Sequence, residues 1–132
     1  MSDGWLLDTQ LLLWLACRPD RLGSRLAEDL SDRKHPIHYS VVSLWEVAIK
    51  ASLSRPDFQI DANALRQGLQ REGFLELAIA AEHVLAVQHL PWIHRDPFDR
   101  LLVVQARQEG LLLLTTDRTL SDYGEAVRWV DT

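Results

Sequence analysis

Four carboxylates, Asp8, Glu46, Asp99 and Asp117, stand where they could hold a cation between them. Asp8 closes the apolar run GWLLD (residues 4–8), and Asp117 follows the run LLLLTT (111–116). Glu46 falls in SLWEVAIK (43–50) and Asp99 in DPFD (96–99), each in the first turn of a helix-like segment. Carboxylates gathered in one place repel, and burying even one unpaired charge is costly. A hard divalent cation removes the conflict. Mg²⁺ and Mn²⁺ take oxygen ligands and keep several waters, which leaves room for a substrate phosphate. Such an ion polarises a phosphoryl group and generates hydroxide from bound water near neutral pH; two ions about 3.5–4 Å apart would stabilise both the attacking and the leaving oxygen.

Taken singly, each acid has a plainer reading. Ser43-Leu44-Trp45-Glu46 has the form of a capping box. Asp96 and Asp99 suit a helix N-terminus through the dipole, and an Asp at a strand end is commonly turn chemistry. The functional reading depends on whether the elements bring all four acids to one edge.

The elements alternate. Strand-like runs cover Gly4–Asp8, His38–Val42, Phe74–Ile79, Leu111–Thr115 and Val127–Val130. Helix-like segments cover Thr9–Cys17, Ser24–Arg33, Ser43–Leu53, Asp61–Glu72, Ala80–Leu90 and Asp96–Glu109. The last has the clearest punctuation, with Asp96 as N-cap, Pro97 at the first helical position and Gly110 after the final turn. LLLLT is apolar throughout, as expected of a strand buried on both faces. Alternation of this kind predicts an α/β fold with a parallel sheet covered on both sides. Ligands in such sheets bind beyond the carboxyl ends of the strands, where all four acids would project.

The bulk numbers agree with one soluble domain over residues 1–132: 47% of residues are hydrophobic and 25% are charged, and no linker or repeat divides the chain. The one cysteine, Cys17, rules out an internal disulfide and fits a reducing cytoplasm. The apolar stretch Trp5–Ala16 is interrupted by Asp8 and Gln10 and preceded by no basic residue, so it reads neither as a signal peptide nor as a membrane span. A net charge of −5 excludes nucleic-acid binding through a broad basic surface. Carboxylate-bound divalent ions would reconcile an acidic chain with a polyanionic substrate.

The segments LLDTQLLLW (6–14), SLWEVAIK (43–50), HRDPFDRLLVVQA (94–106) and LLTTDRTL (113–120) together resemble a PIN domain of the VapC toxin type, over nearly the whole chain. The resemblance implies a three-layer α/β/α fold with a five-stranded parallel sheet. It implies Mg²⁺- or Mn²⁺-dependent cleavage of RNA, an antitoxin as partner, DNA reached only through that antitoxin, and homodimers. By it, Asp8, Glu46, Asp99 and Asp117 are the metal-binding and catalytic acids. Asp96 is a further acid that supports the site or caps the helix, and Thr9 is the hydroxyl beside the first acid. Many relatives have Asp-Thr-His where this chain has Asp8-Thr9-Gln10, and Gln10 cannot titrate near neutral pH as histidine can.

Val47-Ala48-Ile49-Lys50 and His94-Arg95-Asp96 imitate protein-kinase signatures, but the lysine lies in a helical pattern and no Gly-rich loop precedes it. A haloacid-dehalogenase-type phosphatase needs a second Asp where Gln10 stands. The five histidines show no metal-ligand spacing and read as surface or satisfied core residues. Arg95, Arg100 and Arg118 flank the acids and could hold phosphates or pair with neighbouring acids. Trp14 and Trp45 read as core or dimer interface, and Trp92 as a residue that could stack a base. Two other readings stay open: a non-catalytic module that partners an antitoxin in promoter autoregulation, and a DNA-directed nuclease of the same fold.

Overall fold

Two leucine-rich runs far apart in the chain, one near its start and one near its end, become neighbouring strands at the middle of the sheet. The computed structural model describes residues 4–132; residues 1–3 of the expected domain lie outside the described residues. Its strands are β1 (Trp5–Leu7), β2 (Ile37–Ser40), β3 (Leu75–Leu77), β4 (Leu112–Thr115) and β5 (Val127–Trp129). They form one sheet in the order β3-β2-β1-β4-β5, with every pair parallel. Its α-helices are α1 (Thr9–Cys17), α2 (Ser24–Asp32), α3 (Val41–Ser52), α4 (Ala62–Arg71), α5 (Ala81–Ala86) and α6 (Pro97–Glu109). The fold is the expected three-layer α/β/α arrangement.

Side chains alternate across a strand, so each strand feeds both layers. Trp5, Leu7 and Leu114 pack with Leu11, Leu26, Leu30, Leu65 and Leu69, from α1, α2 and α4. Leu6 and Leu113 pack with Leu101, Leu102 and Val104 of α6, and with Leu120 and Val127. Leu6, Leu7 and Leu113 are fully buried, each stabilising the fold by about 1.5–3 kcal/mol. No helix among the described residues is long and apolar enough to cross a membrane.

Several expected boundaries move, the third strand shortening from Phe74–Ile79 to Leu75–Leu77 among them. The second strand stops at Ser40 rather than Val42, because Ser40 Oγ accepts from Val42 N at 3.0 Å and starts α3 at Val41. The β-branched pair Val41–Val42 suggested strand, but the cap sits before it. Glu46 therefore lies in the second turn of α3, not the first, and Ser43 is a buried helical residue rather than the cap of a capping box. The expected helix Ala80–Leu90 is α5 followed by a 3₁₀ turn over Val87–His89.

From β1 the chain adds β2 and β3 on one side, then crosses to place β4 and β5 on the other. The crevice at the carboxyl ends of β1 and β4 is thus the switch point of the sheet, where open α/β folds bind ligands.

Candidate metal centre

Asp8 lies immediately after β1 and caps α1, with its Oδ1 accepting from Leu11 N at 2.8 Å. Its Oδ2 accepts a short 2.6 Å bond from the Thr115 hydroxyl at the end of β4. The same hydroxyl accepts from Asp117 N at 3.0 Å, so Thr115 joins the first and last acids of the site. Asp117 caps the 3₁₀ turn Arg118–Tyr123, its Oδ1 accepting from Thr119 N at 3.0 Å, while its Oδ2 meets His94 Nε2 at 2.7 Å.

Asp99 enters from α6. Asp96 caps that helix, its Oδ1 accepting from Phe98 N at 2.8 Å and Asp99 N at 3.2 Å. Pro97 follows with its backbone preset for the first turn. Glu46 enters from α3, where its Oε2 lies 3.3 Å from Lys50 Nζ. Asp8, Glu46, Asp99 and Asp117 line one cleft of about 260 Å³, together with Thr9, Gln10, Leu13, Lys50 and Thr116. A larger cavity of about 660 Å³, between the end of α1, α2 and α4, shares no residue with it and holds no comparable cluster of acids.

The electrostatics of the cleft are strained in one direction. Burial, then the charges of Asp96 and Asp8, push the Asp99 carboxyl up to about 7. Burial likewise pushes Asp8 up to about 6, against the hydrogen bonds from Thr115 and Leu11 that favour its charged form. Glu46 Oε1 is buried with no hydrogen-bond partner among the described residues. A buried oxygen without a donor and acids that resist ionisation are both stabilised by a cation placed among them. The donor set is rich in oxygen and fits a hard divalent cation.

Other residues singled out from sequence fall in different places. Asp96 caps α6 and contributes its charge to Asp99, but does not line the cleft. The Thr9 hydroxyl donates to Ser43 Oγ at 2.9 Å and ties α1 to α3. Arg100 does not line the cleft, and neither of the two roles expected for it, holding phosphate or pairing with a neighbouring acid, is what its guanidinium does. Consecutive helical residues point about 100° apart, so the side chain after Asp99 turns inward. Its guanidinium is buried, donating to Pro91 O at 2.8 Å, Leu90 O at 3.1 Å and Tyr123 Oη at 3.1 Å. Its role is to hold the loop that leads into α6. Arg118 is exposed and lies over the Trp129 ring, 4.2 Å from its centroid. Trp92 is 80% exposed, with the Arg100 guanidinium 3.9 Å from its ring centroid.

Sequence reasoning missed His94, Lys50 and Thr115 at the site. The first two stood inside the rejected kinase-like patterns, and Thr115 inside a strand. The usable signals were adjacency to DPFD for His94, i,i+4 spacing from Glu46 for Lys50, and a hydroxyl ending an apolar strand for Thr115.

The pattern described as PIN domain matches residues 5–126. In fold the chain is similar to a toxin–antitoxin complex from Klebsiella pneumoniae, with a TM-score of 0.64 and 18% identity, over 95% of this chain and 96% of that one. It is similar to VapBC2 from Rickettsia felis bound to a DNA fragment from their promoter, with a TM-score of 0.66 and 16% identity, over 96% and 98% of the two chains. It is also similar to FitAcB from Neisseria gonorrhoeae, with a TM-score of 0.60 and 17% identity, over 92% and 94%. No curated protein matches the chain in sequence.

Proposed function

The chain belongs to the PIN domain family, and from that premise we propose that it is the toxin of a toxin–antitoxin pair, acting in the cytoplasm as a Mg²⁺- or Mn²⁺-dependent endoribonuclease. The observation that carries this reading is Glu46 Oε1, buried and without a hydrogen-bond partner among the described residues, on a side chain that lines one cleft with two acids whose charged forms are disfavoured. Asp8, Glu46, Asp99 and Asp117 hold the metal. When bound, the ion supplies a polarised phosphoryl group and an activated water. Asp8 and Asp117 are oriented by Thr115, and Asp99 by the capped start of α6. Lys50 lines the cleft and is the cation we assign to an RNA phosphate there. Arg118, exposed over the Trp129 ring and outside the cleft lining, is assigned a more distant phosphate contact. No side-chain nucleophile is required.

The reading is tested by incubating the purified chain with mixed cellular RNA, and separately with single-stranded DNA, in Mg²⁺, Mn²⁺ or chelator. Discrete RNA products that need metal are expected. Products from DNA alone would replace RNA by DNA as substrate. No product from folded protein under any metal would favour a binding module that acts through its antitoxin and promoter DNA.

For partners, similarity to toxin–antitoxin complexes supports a cognate antitoxin, with DNA reached through it. A second copy is the occupant we assign to the outer face of α3. Trp45, Ile49 and Leu53 recur there at i, i+4 and i+8 with exposures of 53%, 39% and 52%. Residues so spaced share one helix face, and here all three, with Leu53 as the residue that caps the helix, are apolar and exposed. Trp45 also packs edge-on against Phe98 near the start of α6, 4.9 Å between ring centroids. Replacing Ile49 and Leu53 with glutamate is expected to convert a dimer to a monomer in sedimentation; a wild-type monomer would refute the assignment.

A further inference from the structure

We propose that His94 is a positioning residue of the metal centre: its imidazole is locked in the tautomer that donates the Nε2 proton to Asp117, and it holds that carboxylate instead of ligating the metal. The inference rests on the metal-centre reading above and goes beyond its four acids.

Donor atoms of His94, Asp99 and Asp117 lie within 4.8 Å of one another, so a site of one imidazole and two carboxylates is open on distance alone. Proton placement decides against it. Asp96 N approaches His94 Nδ1 at 3.1 Å. A backbone N–H can only donate, so Nδ1 presents its lone pair, and the one proton of a neutral imidazole sits on Nε2. Nε2 is 2.7 Å from Asp117 Oδ2, a separation typical of a hydrogen bond to a charged acceptor. Metal-bound histidines show the reverse arrangement, with the second nitrogen donating to a carboxylate or carbonyl. To ligate through Nε2 while Asp96 N faces Nδ1, the ring would have to become an anion or break that bond.

The ring is carried by a pinned loop. His94 N donates to Tyr123 Oη at 3.0 Å, and Tyr123 Oη donates to Pro91 O at 2.8 Å. Arg100 Nη1 donates to the same Pro91 oxygen at 2.8 Å. The buried arginine thus acts on the cleft at one remove, through the position of His94.

Asp117 has need of such a partner. Its side chain is 39% exposed and it lies beyond the end of β4 in a short turn, so little packing restrains it. Thr119 N holds Oδ1 and His94 holds Oδ2, which leaves the carboxylate's remaining lone pairs in one orientation. A carboxylate free to rotate would have to be ordered by each ion that binds, and affinity would fall.

The test uses the full chain, wild type and two variants. Long-range ¹H–¹⁵N correlation of the imidazole, at about pH 8 where an ordinary histidine is neutral, should show His94 protonated at Nε2. Calorimetry with Mn²⁺ alone should show affinity weakened about 10–100-fold in His94→Leu. His94→Gln, whose amide can donate from near the Nε2 position, should retain affinity to within about threefold. Thermal melting checks that both variants are folded. An Nδ1–H tautomer, a leucine variant that binds as wild type does, or a glutamine variant as weak as leucine would each overturn the positioning role. Wild-type protein that binds no Mn²⁺ would instead sink the metal centre itself.

Discussion

Asp99→Asn should lose metal-dependent RNA cleavage by about a thousandfold or more, roughly 4 kcal/mol of transition-state stabilisation, while the metal-free protein becomes harder to melt. The two effects have one cause. The Asp99 carboxylate is buried beside Asp96, Asp8 and Glu46, an environment that disfavours its charge. Neutralising it relieves that cost in the absence of metal and removes an anionic ligand in its presence. The opposing loss, an acid near the N-terminus of α6, amounts to about 0.3–1 kcal/mol, and Asp96 still caps the helix. A net rise of about 3–6 °C in melting temperature at about pH 8 follows for a domain of this size. If Asp99 served only the helix terminus, the variant would melt lower and cleave RNA normally. That pair of results would remove it from the metal centre.

The second expectation concerns pH and separates the metal-free from the metal-bound protein. Asp8 rises from 3.8 to about 6 on folding, and Asp99 from 3.8 to about 7. Between the unfolded and folded values the native state binds more protons than the unfolded chain, so stability falls as pH rises. The metal-free protein should be most stable at mildly acidic pH. It should lose on the order of 3 kcal/mol by about pH 8, a figure reduced for the partial exposure of Asp99. Acids shifted the other way act below this window. Glu76 is lowered by Arg66 and Asp20 by Arg18. Both lose their contributions only as pH falls through the ordinary carboxylate range and beyond.

A bound cation reverses the trend, because it must displace the protons. Mn²⁺ affinity should fall as pH drops through about 7, and more steeply below about 6, approaching a hundredfold per pH unit. The increase in melting temperature caused by Mn²⁺ should be large at about pH 8 and nearly absent at about pH 5.5. A metal-induced increase that does not vary with pH would show that neither Asp8 nor Asp99 is a ligand. Metal-free stability that climbs across the same window would show that their charges are not strained.

The two kinase-like patterns mark where reading by motif and reading by geometry part. On context neither pattern fits a kinase, since Lys50 lies on a helix and no Gly-rich loop precedes it. Yet both patterns contain a residue that meets the acids: Lys50 beside Glu46 and His94 beside Asp117. Nothing in one sequence places His94 within reach of a residue 23 positions later, because that contact depends on where two loops end up. Arg100 shows the opposite error. Sequence puts it next to Asp99, whereas the turn of the helix directs it to the backbone carbonyls of a different loop.

By itself the sequence determined the layer architecture and the convergence of Asp8, Glu46, Asp99 and Asp117 on one edge. Period-two and period-3.6 patterns, capping residues and strand runs are local properties, and a parallel α/β sheet converts their order into a shared edge. Asp96-Pro97 starts its helix whatever surrounds it, and LLLLT is too apolar to lie anywhere but the core. Only tertiary structure decided that Asp8 and Asp99 resist ionisation, that Glu46 Oε1 has no partner among the described residues, and what holds the carboxylates still. Desolvation depends on everything packed around a group, and a hydrogen bond such as Thr115 to Asp8 spans 107 positions of chain. Those non-local contacts turn four separately ordinary acids into one cleft in which Asp8 and Asp99 resist ionisation.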